Sequence, residues 1–120
     1  MWIAVGSGRR MKALSNLEFQ EKLAVMAGAL GSVKEDKSLL RAEGIRNNLT
    51  AVSSLKSYVS REEQEKLMRD YVIPILNEYL NTDLDQGVAI TVKEIIDIAL
   101  SYGIRSSELE SLRQRARGLE

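Results

Sequence analysis

Apolar residues recur along most of this chain at intervals of three and four, which is the spacing that places side chains on one face of an α-helix. The first such run consists of Phe19, Leu23, Met26 and Leu30. It predicts a helix over residues 16–30 that turns this face toward the interior of the protein.

A second run of the same period predicts a helix over residues 33–59. Gly44 lies inside this run, where glycine costs about 1 kcal/mol relative to alanine, and several mediocre helix formers follow it. We therefore expect a bend or a break near residue 44. The apolar positions of this stripe are Ala42, Ile45, Leu49, Val52, Leu55 and Val59.

The third run has the widest apolar face and predicts a central helix over residues 61–80. Pro74 lies within it, lacks a backbone N–H and crowds the carbonyl group of Asp70, so the sequence predicts that the helix kinks at this position or divides into two. Residues 81–90 are rich in Asn, Asp and Gly and are interpreted as a loop. Two shorter helices are predicted beyond it, over residues 92–102 and 107–119.

A hydroxyl residue followed three positions later by glutamate recurs ahead of these runs and is typical of helix starts. Gly31 and Gly103 follow two of the runs, where a left-handed residue commonly ends a helix. The five pairs are Ser15 with Glu18, Ser32 with Glu35, Ser60 with Glu63, Thr91 with Glu94, and Ser107 with Glu110.

These elements predict an all-α fold, a single-domain bundle of about five helices formed by residues 13–120. Residues 1–12 show no helical pattern and contain no acid. They are interpreted as a flexible basic arm in front of the bundle.

The amino-acid composition argues against several classes of function. The chain has no Cys and no His, so it lacks thiolate chemistry, the commonest metal ligand and the most frequent proton-transfer side chain. Seventeen basic residues balance seventeen acidic ones, so no strong overall field draws the protein to nucleic acid or anionic lipid. We expect a cytoplasmic protein that is not an enzyme, with no cofactor, no metal and no membrane partner.

Residues 83–94 partly resemble a calcium-binding EF-hand loop, with acids at its first, third and twelfth positions. Gly87 stands at the fifth position, where an oxygen ligand belongs, and Val88 stands at the sixth, where glycine makes the turn. We therefore predict no metal site there.

The last predicted helix carries a narrow apolar seam on an otherwise polar segment, a pattern that suits a partner helix. The seam consists of Leu109, Leu112, Ala116 and Leu119. It favours a non-catalytic interaction or assembly module, a homo-oligomeric subunit or an adaptor that binds another protein.

The alternative is a helix-turn-helix DNA-binding protein that uses residues 95–117. Ala99, Gly103, Leu109 and Leu112 have the spacing that lets two helices cross closely at a glycine corner. Two glutamates near the start of the second helix and a local net charge of only +1 count against it. The candidate nucleic-acid contacts are Arg9, Arg10, Lys12, Arg105, Ser106, Ser107, Ser111, Arg113, Arg115 and Arg117.

Overall fold

The computed structural model describes residues 2–104 and 106–118, with side chains from residue 16 onward. Every regular element in these residues is helical, so the predicted all-α bundle is confirmed. Taking Arg61–Leu80 as one rod gives five main helical segments. The elements are α1 (Trp2–Ser32), α2 (Leu39–Ser53), a short 3-10 turn (Lys56–Tyr58), α3 (Arg61–Leu67), a π-helical segment (Met68–Val72), α4 (Ile73–Leu80), α5 (Gln86–Leu100) and α6 (Ser107–Arg117).

A single apolar core joins the helices. Phe19, Leu23 and Met26 of α1 are buried, which confirms the inward face predicted for this helix. Leu67, Leu76 and Tyr79 of the α3–α4 rod are fully buried beside them, as the wide apolar face of that segment predicts. Contacts among these buried side chains therefore hold the helices together.

Helices α2 and α5 run side by side in the same direction. Arg46 of α2 makes an ion pair of 3.3 Å with Glu94 of α5, and Ser53 lies 2.8 Å from the hydroxyl of Tyr102. Because both contacts join residues separated by nearly the same number of positions, the two helices are parallel and in register. This pair has the most extensive helix contact of the bundle.

A π-helical segment lies directly before Pro74, where the sequence predicts a kink or a division of the helix. The N–H of Ile73 bonds to the carbonyl of Met68, five residues back, and Pro74 then stands in the first turn of α4. Proline needs no N–H partner at a helix start, so the wider turn accommodates the missing donor. The rod therefore continues through residue 74.

Helix α1 begins at Trp2, so the predicted start at residue 16 is wrong. Ser15 lies inside this helix and cannot cap its start. Residues 9–14 are mostly good helix formers, so the helix extends toward the N-terminus through them. This extension has no apolar stripe, and the spacing of apolar residues therefore did not predict it. The division into an arm of residues 1–12 and a domain of residues 13–120 stays a prediction.

The predicted helix over residues 33–59 is wrong at both ends, and no break occurs at Gly44. Asp36 accepts a hydrogen bond from the N–H of Ser38, and Ser38 in turn accepts one from the N–H of Arg41. This pair of turns separates α1 from α2, so α2 begins at Leu39. Ser32 ends α1 instead of starting α2, with its hydroxyl donating to the carbonyl of Gly28.

Helix α5 begins at Gln86, six residues before the predicted start. Thr91 is buried inside it and donates its hydroxyl to the carbonyl of Gly87, an i−4 bond that forms only within a helix. Helix α6 starts at the predicted Ser107, but its cap is Ser106, which accepts from the N–H groups of Glu108 and Leu109. Its described part ends at Arg117.

Of the five predicted hydroxyl–glutamate helix starts, the one at Ser60 is confirmed. The hydroxyl of Ser60 accepts a hydrogen bond from the N–H of Glu63 at the start of α3. Gly103 also has the expected left-handed conformation, with a φ of +67°. Gly31 does not, because α1 continues through it to Ser32.

Candidate functional site

An apolar groove of about 310 Å³ runs between α1 and α2, which pack as an antiparallel hairpin. Its floor is formed by the buried side chains of Met26, Ala29 and Ile45. Leu40 stands on the α2 rim with 82% of its surface exposed, and Val25 stands on the α1 rim with 56% exposed. Such exposure of large apolar residues around one groove is typical of a binding surface.

Gly44 is one of the residues that line this groove. It lies on α2 one turn from Leu40, and a Cβ atom placed on it would meet no described atom within 4 Å. Residue 44 therefore has open space around it on the surface that lines the groove.

Polar groups close the two ends of the groove. At one end the carboxylate of Asp36 pairs with Arg41 at 3.3 Å, and the hydrogen bonds from Ser38, followed by the nearby Arg41, lower the pKa of Asp36. At the other end the amide of Asn48 donates to the carbonyl of Lys22 at 3.2 Å. These groups are engaged within the chain, so the groove itself offers an apolar surface with satisfied polar ends.

The seam predicted on the last helix packs inside the chain. Leu109, Leu112 and Ala116 are buried against the core, and α6 contacts both α4 and α5. Leu119 lies outside the described residues. The helix that complements this seam is therefore supplied by the same chain.

The corner between α5 and α6 contains the residues on which the helix-turn-helix interpretation depends. Ala99 is fully buried where the helices approach, and Gly103 adopts its left-handed φ at the turn. Arg61, at the start of α3, donates to the carbonyls of Tyr102 and Gly103 at 2.6 and 2.7 Å. These two hydrogen bonds connect the α5–α6 corner to the start of α3.

The candidate nucleic-acid contacts fall into three groups. Ser107, Ser111, Arg113 and Arg117 are exposed on α6. Arg115 is also exposed, but it donates to the side chains of Asn77 and Asn81 at the end of α4, and Ser106 is used as the helix cap. The structure does not describe Arg105 or the side chains of Arg9, Arg10 and Lys12.

Tyr79 and Tyr102 are the buried tyrosines of the core, and their hydroxyls differ in hydrogen bonding. Burial raises the pKa of Tyr79 to about 12, with the negative charge of Asp36 contributing, and its hydroxyl has no hydrogen-bond partner among the described residues. Burial also raises the pKa of Tyr102, whereas its hydrogen bond to Ser53 opposes that rise.

We expect Tyr79→Phe to raise the free energy of unfolding at neutral pH by about 1 kcal/mol, because it removes an unpaired buried hydroxyl. Unfolded Tyr79 ionises near pH 10 while the folded residue stays protonated to about pH 12, so stability falls as pH rises through this interval. The variant should lose less stability there. Urea unfolding at pH 7 and pH 11 measures both effects.

The matched control is Tyr102→Phe, which loses the bond to Ser53 and should lower stability by about 1 kcal/mol at pH 7. Equal effects of the two substitutions at pH 7 would contradict this account of the Tyr79 hydroxyl.

Within the described residues, no helix combines the length and apolarity of a membrane span. The same residues contain no cluster of three or more acidic side chains arranged to hold a metal ion. No family model, no curated protein and no solved structure matches this chain.

Sequence reasoning missed the residues that form the groove and fix the corner. Gly44 was interpreted as a weak point of a helix, and Arg61 was treated only as the first residue of the third helix. One signal was available for the groove, since Leu40 and Gly44 are one turn apart on the face opposite the apolar stripe of α2. No comparable signal identifies Arg61, because its partners are backbone carbonyls about forty residues away.

Proposed function

We propose that this protein is a non-catalytic assembly module in which the groove between α1 and α2 binds α2 of a second copy of the chain. The observation that carries the proposal is the 82% exposure of Leu40 beside a groove that Gly44 leaves open. Burying an exposed leucine in an apolar groove contributes about 1.5–3 kcal/mol.

The arrangement suits a second copy because the same face of α2 presents both a projecting side chain and a recess. A two-fold axis uses one patch twice, so that patch must be complementary to itself. Leu40 of each copy would enter the groove beside Gly44 of the other. Val25 of each copy would cover the inserted leucine from the α1 side.

The chemistry of the described residues supports a binding role over catalysis. Among the described residues, the groups with shifted pKa values are, apart from the two buried tyrosines, Asp36, Arg69 and Asp70. In each of these the shift favours the charged form and arises from a local hydrogen bond. A catalytic acid or base would need a shift toward neutral pH beside a partner in a cavity.

Disulfide formation tests the proposal directly, since the chain contains no cysteine of its own. Two single variants, Leu40→Cys and Gly44→Cys, are mixed and oxidised under mild conditions. In the proposed dimer these two positions face each other across the axis, within the short Cα separation that a disulfide requires. We expect the mixed disulfide to form faster than either same-position disulfide.

The control is a mixture of Gly44→Cys with Ile90→Cys, whose side-chain position on α5 is also exposed. If this control mixture cross-links as fast as the Leu40 and Gly44 mixture, the second copy does not occupy the groove.

A second candidate function, helix-turn-helix binding of DNA, is favoured by the corner at Gly103. The left-handed glycine, the buried Ala99 and the buried Leu109 and Leu112 match the steric pattern of that motif, and the polar side of α6 faces outward. Binding of the whole chain to mixed-sequence duplex DNA should then be detectable at low salt and fall steeply as salt rises. Absence of binding at low salt would remove this candidate.

A further inference from the structure

Two cations from the segment between α2 and α3 bond to the α5–α6 corner. Arg61 donates from its two terminal nitrogens, Nη1 to the carbonyl of Tyr102 at 2.6 Å and Nη2 to that of Gly103 at 2.7 Å. Lys56 donates to the carbonyl of Ser101 at 3.4 Å, and its ammonium lies 5.0 Å from the centre of the Tyr102 ring. Three consecutive carbonyl groups directly after α5 are therefore bonded to a distant part of the chain.

The forked bond from Arg61 is the stronger of the two attachments. Hydrogen bonds from an ionised donor are stronger than neutral ones, and a planar guanidinium fixes the direction of its two acceptors as well as their distance. A cation at the carboxyl end of a helix is also favoured by the helix dipole. Arg61 therefore fixes the two peptide groups at which the chain turns from α5 into α6.

Gln64 holds Arg61 in place on the opposite side. Its side-chain oxygen accepts from Arg61 at 3.4 Å, and its side-chain nitrogen donates to the carbonyls of Lys56 at 2.9 Å and Val59 at 3.1 Å. The turn after α2, the start of α3 and the corner are thus joined in one hydrogen-bonded network. The corner can move away from the bundle only if the bonds from Arg61 break.

Helix α6 has few other attachments among the described residues. Three of its 11 residues are buried, namely Leu109, Leu112 and Ala116. Arg115 adds exposed hydrogen bonds to two side chains of α4. A short helix with so few buried contacts is typical of the segments that open by themselves before the whole chain unfolds.

We propose that the two bonds from Arg61 keep α6 closed over α4 and α5, and that α6 opens as a separate unit when they break. In the closed state the apolar residues of α6 are covered by their own chain, and in the open state they are exposed. Arg61 therefore controls how often this apolar surface is accessible. The inference depends on neither of the two functions proposed above.

The test is native-state hydrogen exchange of the full chain, followed by NMR. In the unmodified chain, we expect the amides of Leu112 and Ala116 to exchange faster than those of Leu49 and Ile95 in the α2–α5 pair. Arg61→Ala should speed exchange in α6 by about tenfold or more, the loss expected for two hydrogen bonds from a charged donor. Alanine is a good helix former, so the start of α3 should be retained.

Ile45→Val is the matched control for separate opening, because Ile45 is buried in α2 and remains packed while α6 is open. It should speed exchange at Leu49 and Ile95 by about two- to tenfold and leave the amides of α6 unchanged. Equal acceleration in α6 would show that α6 opens only when the whole chain unfolds, which overturns the proposal.

Two further variants test the role of Arg61 itself. Arg61→Lys retains the charge but cannot reproduce the fork, so α6 should exchange at a rate between those of the unmodified chain and Arg61→Ala. Arg69→Ala should have no effect on α6, since Arg69 is exposed on the same rod and pairs with Asp70 at 2.9 Å. Exchange in α6 that is unchanged by Arg61→Ala, or unchanged by Arg61→Lys, would overturn the role given to the forked bonds.

Discussion

Replacement of Gly44 by leucine is expected to abolish self-association while making the folded chain more stable. Apart from the chain neighbours and the nearby backbone of the same helix, no described atom lies within 4 Å of a Cβ at this position, so a side chain can start there without a clash. Leucine is a better helix former than glycine by about 0.8 kcal/mol, so the free energy of unfolding should rise by about that amount.

The same side chain would fill the groove that receives Leu40 of the second copy. Each dimer would lose the burial of two leucines, which is worth about 3 kcal/mol or more in total. The dissociation constant should therefore rise by about a hundredfold or more. Urea unfolding measures the gain in stability, and light scattering over a range of concentrations measures the loss of the dimer.

Gly44→Ala is the matched control for this substitution. It provides a similar gain in helix propensity but leaves most of the groove empty, so the alanine variant should be stabilised and still associate. Normal association of Gly44→Leu would show that the groove is not the contact surface.

Replacement of Phe19 by alanine is expected to lower the free energy of unfolding by about 3–5 kcal/mol. Phe19 is fully buried in the core that α1 shares with the other helices, and its removal leaves a cavity that rigid neighbours cannot fill. A loss of this size is a large fraction of the about 5–15 kcal/mol that stabilises a typical domain.

Leu17→Ala is the control on the same helix, since Leu17 is 63% exposed and lies two residues from Phe19. Its effect should be within about 0.5 kcal/mol of zero. Urea unfolding of both variants checks the pair, and a loss of less than about 1 kcal/mol for Phe19→Ala would contradict the placement of α1 on the core.

The sequence was sufficient to predict the helices and most of the core, because both depend on apolar periodicity within each segment. Phe19, Leu49 and Ile95 all lie on the predicted inward faces and are buried. Helix starts were predicted less well. A hydroxyl and a glutamate three residues apart can also occur inside a helix, and at Thr91 the hydroxyl bonds backward to Gly87.

The binding surfaces depend on contacts between segments, which periodicity does not determine. The described apolar residues of α6 are buried, but the sequence does not tell which helix covers them, and here α4 and α5 of the same chain do so. The groove at Gly44 was missed for a related reason. An exposed glycine becomes a recess only when a neighbouring helix stands beside it.

Light scattering of the unmodified chain, across concentrations from micromolar to millimolar, measures whether two copies associate. Assembly through the α1–α2 groove predicts a molar mass that approaches twice the 13.4 kDa of one chain as concentration rises. A mass of 13.4 kDa that does not change across the whole range would contradict assembly through the α1–α2 groove.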